Sequence, residues 1–221
     1  MAEAERLLLT IDTSSEQAGV GLFGPGIAAE LSWLAGRTQT VSLLAQVHAL
    51  LHLHGKAPAD LGAVAVATGP GTFTGVRVGL SIAKGLVLAL DCLLVGIDTL
   101  DIAAYPVADG GGAPVAAVAA GRGRVVWAPF EAGLPLRRRG DARNSAVADL
   151  AEWFADHPGA TLVGELPADF DRSLPNGAAA VVVDPMLRGR RPAALARLAR
   201  ARLGIGDVDD PAELEPRYVG R

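Results

Sequence analysis

Apolar and polar positions divide the first hundred residues into short alternating runs and longer helical ones. Arg6–Asp12, Ala18–Phe23 and Ile27–Trp33 read as three strands. They are joined by the polar turn Thr13–Gln17 and by Gly24-Pro25-Gly26, the arrangement of an antiparallel meander. From about Thr38 to His52 the period becomes helical, with Leu43, Leu44, Val47, Leu50 and Leu51 on one face. Ala63–Ala67 is a buried strand, a Gly-Pro-Gly corner follows, and a long apolar helix runs from about Thr74 to Leu90. Leu93–Ile97 is another strand, after which Asp98 or Thr99 caps a short helix ending near Tyr105.

The glycine-rich stretch Asp109–Pro114 breaks the pattern, and Val115–Phe130 then repeats the opening strand-turn-strand layout at nearly equal length. A helix from Ser145 to about Asp156, strands at Thr161–Gly164 and Ala178–Val183, and a helix at Pro192–Leu203 follow. This predicts an α/β chain with duplicated lobes, mixed sheets flanked by helices. An N-terminal lobe spans 1–108, a smaller lobe spans 109–204, and the tail 205–221 docks on the first.

The corner between strand and long helix holds the most specific chemistry. Glycines permit backbone conformations closed to other residues, and a helix start offers unpaired N–H groups to an anion. The helix also carries Gly75, Gly79 and Ala83 on one stripe, where small residues let another helix approach closely. So either the corner holds a phosphate or the helix holds another protein.

Composition narrows the classes. Half of the 221 residues are apolar and the formal net charge is −4, which argues against a nucleic-acid binder by bulk electrostatics. The runs Arg137–Arg139 and Arg188, Arg190, Arg191 read as solvated charge. One cysteine, Cys92, excludes an intrachain disulfide and reads as a small core residue. Acidic Glu3 and Glu5 are wrong for a signal peptide, and Lys84 and Asp91 interrupt the best membrane-span candidate. A cytoplasmic protein is the expectation.

The segments IDTS, GPGTFTGVRVGLSIAKGL, LVGIDTL, GRVVWAPF and EPRYV together resemble the TsaB (YeaZ) family. The resemblance implies the two-lobed fold of the actin, sugar-kinase and heat-shock-ATPase (ASKHA) superfamily. It implies a non-catalytic partner of TsaD, the transferase that places threonylcarbamoyl on the adenosine beside the anticodon of tRNAs reading ANN codons (t6A). TsaC makes the activated donor and TsaE is the associated ATPase. A homodimer through the same helices when alone, contact with tRNA only through the complex, no membrane, and no intrinsic cofactor beyond ATP or ADP shared at the partner interface are further implications. The expected interface residues are Thr38, Val41, Ala45, His48, Gly75, Val76, Gly79, Leu80 and Ala83. Nucleotide or anion contact would fall on Asp12, Thr13, Ser14, Gly69, Gly71 and Thr72.

Enzymes of that superfamily need acidic groups in both phosphate hairpins to position magnesium and the attacking group. The first hairpin has Asp12, whereas its counterpart reads Ala119, Ala120, Gly121, Arg122, without a carboxylate. No catalytic residue is therefore expected. Asp12 itself reads equally as a turn aspartate accepting backbone N–H bonds. The alternative is a small ASKHA-type kinase or ATPase using Asp12 and the GPGTFTG turn. His48 and His52 sit four apart, but no glutamate or third ligand accompanies them, so no metal is expected. They read as lying with Ala45 and Ala49 on the outer side of their helix.

Overall fold

A computed structural model describes residues 6–34, 39–166, 181–182 and 189–220. The chain divides into two compact units: Met1–Thr99 with Arg191–Arg217, and Leu100–Arg190 with Tyr218–Arg221.

The first unit is built on a five-stranded sheet. Strands β1 (Leu7–Asp12), β2 (Gln17–Gly24) and β3 (Ile27–Leu34) form the antiparallel meander, while β4 (Leu61–Ala67) and β5 (Leu93–Ile97) run parallel to β1, in the order β3-β2-β1-β4-β5. Every residue of β1 and β4 is buried, because both faces of these inner strands are covered. Helices α1 (Gln39–Leu53) and α2 (Phe73–Leu90) supply Leu43, Val47, Leu80 and Ala83 to a core shared with Leu9, Ile11, Val64 and Val66.

On the other face lies a helix from far down the chain, α5 (Pro192–Leu203), packed on strands β1 to β5. Two glycines of β2 make room for it: a Cβ on Gly21 would come within 2.8 Å of Pro192 and one on Gly19 within 3.1 Å. Proline opens α5 where its missing N–H costs nothing. Glu30 of β3 accepts from the Ala193 N–H at 3.0 Å and pairs with Arg191, placing a carboxylate at the positive end of the helix.

The second unit repeats this plan. Strands β6 (Pro114–Gly121), β7 (Arg124–Pro129) and β8 (Arg143–Ala146) form an antiparallel meander, and β9 (Thr161–Glu165) and β10 (Val181–Val182) run parallel to β6. The order β10-β9-β6-β7-β8 is the first sheet's order with each strand replaced by its counterpart. The duplication seen in the sequence is thus a duplication of topology: an α/β chain of two units, each a mixed sheet flanked by helices, as expected. Alternate residues of β6 serve two cores: Val115 and Ala117 meet α4 (Val147–Ala155), while Ala116 and Val118 meet α3 (Thr99–Ala104).

Several boundaries differ from the expectation. The first unit ends at Thr99, not near 108, because α3 packs into the second unit's core; α5 belongs to the first unit, not the second. Residues 143–146 are a strand, so α4 starts at Val147. Of the strand expected at Ala178–Val183, Val181 and Val182 pair with β9, and the remainder lies outside the described residues. The arginine runs are not simply solvated. Arg138 pairs with Asp101 at 2.8 Å, and a buried Arg190 pairs with Glu165 at 2.7 Å. Finally, α2 is by itself long and apolar enough, at 18 residues, to cross a membrane, contrary to the sequence expectation. A sheet-packed core helix passes the same test, and α2 lays one stripe against its own sheet.

Candidate functional site

In open parallel sheets, ligands gather beyond the carboxyl ends of the strands. In the first unit those ends carry a cluster of buried polar side chains: Asp12, Thr13, Ser14, Ser15, Thr68, Asp98 and Thr99. Asp12 accepts from the Ser14 N–H at 2.9 Å and from the Ser14 hydroxyl at 2.6 Å, closing the hairpin after β1. Thr13 donates to the Gly75 carbonyl at 2.7 Å, and the Thr72 N–H donates to the Ser14 carbonyl at 2.7 Å. Thr72 also caps α2 by accepting from the Gly75 N–H at 3.2 Å. Gly71 is obligatory: a Cβ there would lie 2.1 Å from the Ser14 carbonyl oxygen.

The two turns are therefore zipped together. Gly69, at φ +98°, completes the corner, its carbonyl accepting from the Thr99 N–H at 2.9 Å. The tail closes over the same place. The Arg217 N–H donates to the Thr68 carbonyl at 2.7 Å, and the Arg217 guanidinium lies 3.3 Å from the Asp98 carboxylate.

All six residues expected at a nucleotide or anion site thus lie together; Asp12, Ser14 and Thr72 bond one another, while Thr13 and Gly69 bond Gly75 and Thr99 beside them. Ser14 fills the space against Gly71, and the Thr72 donor and hydroxyl are taken. Asp12, Ser14 and Thr72 are thus held by contacts within the corner itself. The turn-aspartate reading of Asp12 is the one its contacts satisfy.

The expected interface residues divide. Thr38 lies outside the described residues, and Val41 falls in α1 where only the backbone is described. Ala45 and His48 are exposed, and His48 stacks on His52 with ring centroids 6.3 Å apart. Among the described residues, no group of three metal-capable side chains includes them. Gly75, Val76, Gly79, Leu80 and Ala83 face inward, a correction to the expectation that they meet a partner. A Cβ on Gly79 would come within 2.4 Å of the Thr13 hydroxyl and 3.6 Å of Ile11. The small side chains of that stripe let α2 sit close to β1 of its own unit.

The outward stripe of α2 is different: Phe73 (60% exposed), Arg77, Ser81, Gly85 and Leu88 (75%). The Arg77 guanidinium sits 3.8 Å over the Phe73 ring. On α1, Leu44 and Leu53 are also exposed. A helix that is apolar on nearly every side gives no contrast from which to read its buried face, but the spacing 73, 77, 81, 85, 88 was available. In the second unit, the β6–β7 hairpin carries Gly121, Arg122 and Gly123, all at positive φ and exposed, with no carboxylate in the turn.

The family described as "TsaD: tRNA N6-adenosine threonylcarbamoyltransferase" matches residues 23–169. The "tRNA threonylcarbamoyladenosine biosynthesis protein TsaB" of Escherichia coli K12 is 36% identical over 126 residues, 56% of this chain and 54% of that protein. Its counterpart from Bacillus subtilis is 36% identical over 95 residues, 42% of each chain. The matched region thus spans about half the length of the curated relatives. Among solved structures, YeaZ from Pseudomonas aeruginosa superposes with a TM-score of 0.83 at 25% identity, covering 97% of this chain and 100% of that one.

Proposed function

Because the chain belongs to the TsaB/YeaZ branch of the tRNA N6-adenosine threonylcarbamoyltransferase family, we propose that it is a non-catalytic subunit in t6A synthesis. In this reading it docks a TsaD-type transferase and supports threonylcarbamoyl transfer to the adenosine beside the anticodon of tRNAs reading ANN codons. It works in the cytoplasm with a TsaE-type ATPase, self-associates when the transferase is absent, and meets tRNA through the complex. Any shared ATP or ADP draws its phosphate ligands from the partner.

The observation carrying this reading is the outward stripe of α2, where Phe73 and Leu88 stand exposed on a helix whose other stripe is spent on its own sheet. Two large apolar side chains on one exposed helix face are what an interface core needs. The docking surface therefore comprises Phe73, Arg77, Ser81 and Leu88, joined by Ala45 and His48 of α1. The engaged Asp12 and the acid-free second hairpin support a supporting role over a chemical one.

The test is size-exclusion chromatography and a threonylcarbamoyl-transfer assay with a TsaD-type partner. Leu88→Glu should abolish co-elution and reduce transfer at least tenfold, while the circular dichroism and melting of the isolated chain stay unchanged. Co-elution with unaltered affinity would sink the reading. Steady ATP turnover by the chain alone, lost in Asp12→Asn, would favour the kinase or ATPase alternative instead.

A further inference from the structure

The second unit contains a cleft of about 450 Å³ that the proposed docking role does not use. One wall carries a stacked aromatic pair, Trp153 and His157, with the buried Trp127 behind it. Trp127 of β7 lies 5.4 Å from Trp153 of α4, and the His157 ring lies flat on Trp153 at 3.7 Å with only 7° between the planes. Just beyond the end of α4, His157 is fixed there by Nδ1, 2.8 Å from the Trp153 carbonyl oxygen, so an exposed side chain is held rigidly. At the other end Arg143, cross-strand from Trp127, holds its guanidinium 4.9 Å over that indole. Part of the remaining lining is glycine backbone: Gly111 and Gly159 both have positive φ, and a Cβ on either would meet nothing within 4 Å.

Charge in the cleft has one sign. Its ionisable lining side chains are Arg139, Arg143 and His157, and no lining residue is a carboxylate, in a chain whose net charge is −4. Two guanidiniums suit a doubly charged phosphate, and a rigid aromatic edge suits a planar ring. The volume falls within the range of small-ligand pockets, roughly 300–1,000 Å³.

We infer that this cleft binds a nucleoside monophosphate unit, the base against the Trp153–His157 stack and the phosphate on Arg139 and Arg143. The unit is either a free nucleotide or one residue of a single-stranded RNA. An inorganic anion alone leaves the aromatic wall unused, and an uncharged nucleoside leaves the arginines unused.

The test titrates the full chain with AMP, adenosine, inorganic phosphate and a short oligoadenylate, following tryptophan fluorescence. Two of the three tryptophans line or adjoin the cleft, and the third, Trp33, lies in the first unit. AMP should quench saturably at sub-millimolar concentration, with adenosine and phosphate each at least about tenfold weaker, one charge-assisted contact being worth roughly that factor. Arg139→Ala and His157→Ala, both at exposed positions, should each weaken AMP about tenfold. Arg143→Ala should do the same but can also disturb Trp127, so the other two variants carry the test. An oligoadenylate bound at least tenfold more tightly than AMP identifies RNA as the source, and extends the chain's role to direct RNA contact. Equal affinities identify a free nucleotide. Absence of saturable binding by either AMP or oligoadenylate, or binding unaltered in both the Arg139 and His157 variants, overturns the inference.

Discussion

Gly79 and Gly85 occupy the same helix and answer to opposite constraints. At Gly85 a Cβ would meet nothing within 4 Å, so Gly85→Ala should gain most of the roughly 0.8–1 kcal/mol by which alanine exceeds glycine in a helix. At Gly79 the Cβ would press on the Thr13 hydroxyl, which itself bonds the Gly75 carbonyl. Overpacking costs about 1–3 kcal/mol, so Gly79→Ala should be destabilising despite the propensity gain. Urea denaturation of the two variants beside the parent checks both signs. Asp12→Ala should cost about 1–3 kcal/mol by the same measurement, since the Ser14 donors it satisfies are buried. Cys92 differs again: burial and the neighbouring Asp91 raise its thiol pKa, which favours the neutral thiol. Its alkylation at pH 8 should be slower than that of a free cysteine and should accelerate only at higher pH.

At the scale of elements, the three strands of the first meander and the first two of the second were legible because apolar runs and glycine turns mark them directly. The pattern on α2 was not: with apolar residues all round, the small-residue stripe read as a docking face, whereas it is the face against β1. Residues 143–146 carry no apolar alternation, so β8 is visible only through its pairing with β7. The six-residue cluster around Asp12 was legible as a place but not as a set of contacts, because Ser14, Gly71 and Thr72 meet across nearly sixty residues. The Arg217–Asp98 pair, at still greater separation, had no sequence signal beyond the EPRYV resemblance.

A second long-range device protects β5, an edge strand. Asp209 accepts from the Gly96 N–H at 2.7 Å, Arg202 donates to the Gly96 carbonyl at 2.8 Å, and the Asp209 N–H donates to Leu94 at 2.9 Å. Arg202 also bonds Asp207, holding that carboxyl below its ordinary pKa. The lowered value means the Arg202–Asp207 contribution is intact above the ordinary carboxylate range and is lost as pH falls through the depressed pKa. Hydrogen exchange should show Gly96 protected at neutral pH. That protection should be reduced in Arg202→Ala at every pH and in the parent only in acid.

At the scale of the whole molecule, the doubling was legible in the repeated strand-turn-strand plan, but how the chain is shared between the halves was not. Two sheets with corresponding strand orders follow from two copies of one strand-turn-strand plan. The return of α5 to the first sheet follows from no local feature: an arginine-studded amphipathic helix fits either unit by pattern alone. Its placement is set by Pro192 against Gly19 and Gly21 and by Glu30 at its N-terminus. A fragment ending at Arg190 should keep the apolar face of β1 and β4 uncovered, bind a hydrophobic dye, and melt without a cooperative transition for the first unit.

That returning helix has a consequence for synthesis on the ribosome. Domains ordinarily form as they emerge, the earlier one first. Here the opening ninety-nine residues must wait for Pro192–Leu203, so the second unit, although made later, can assemble all of itself except its last four residues, Tyr218–Arg221, from contiguous chain before the first is sealed.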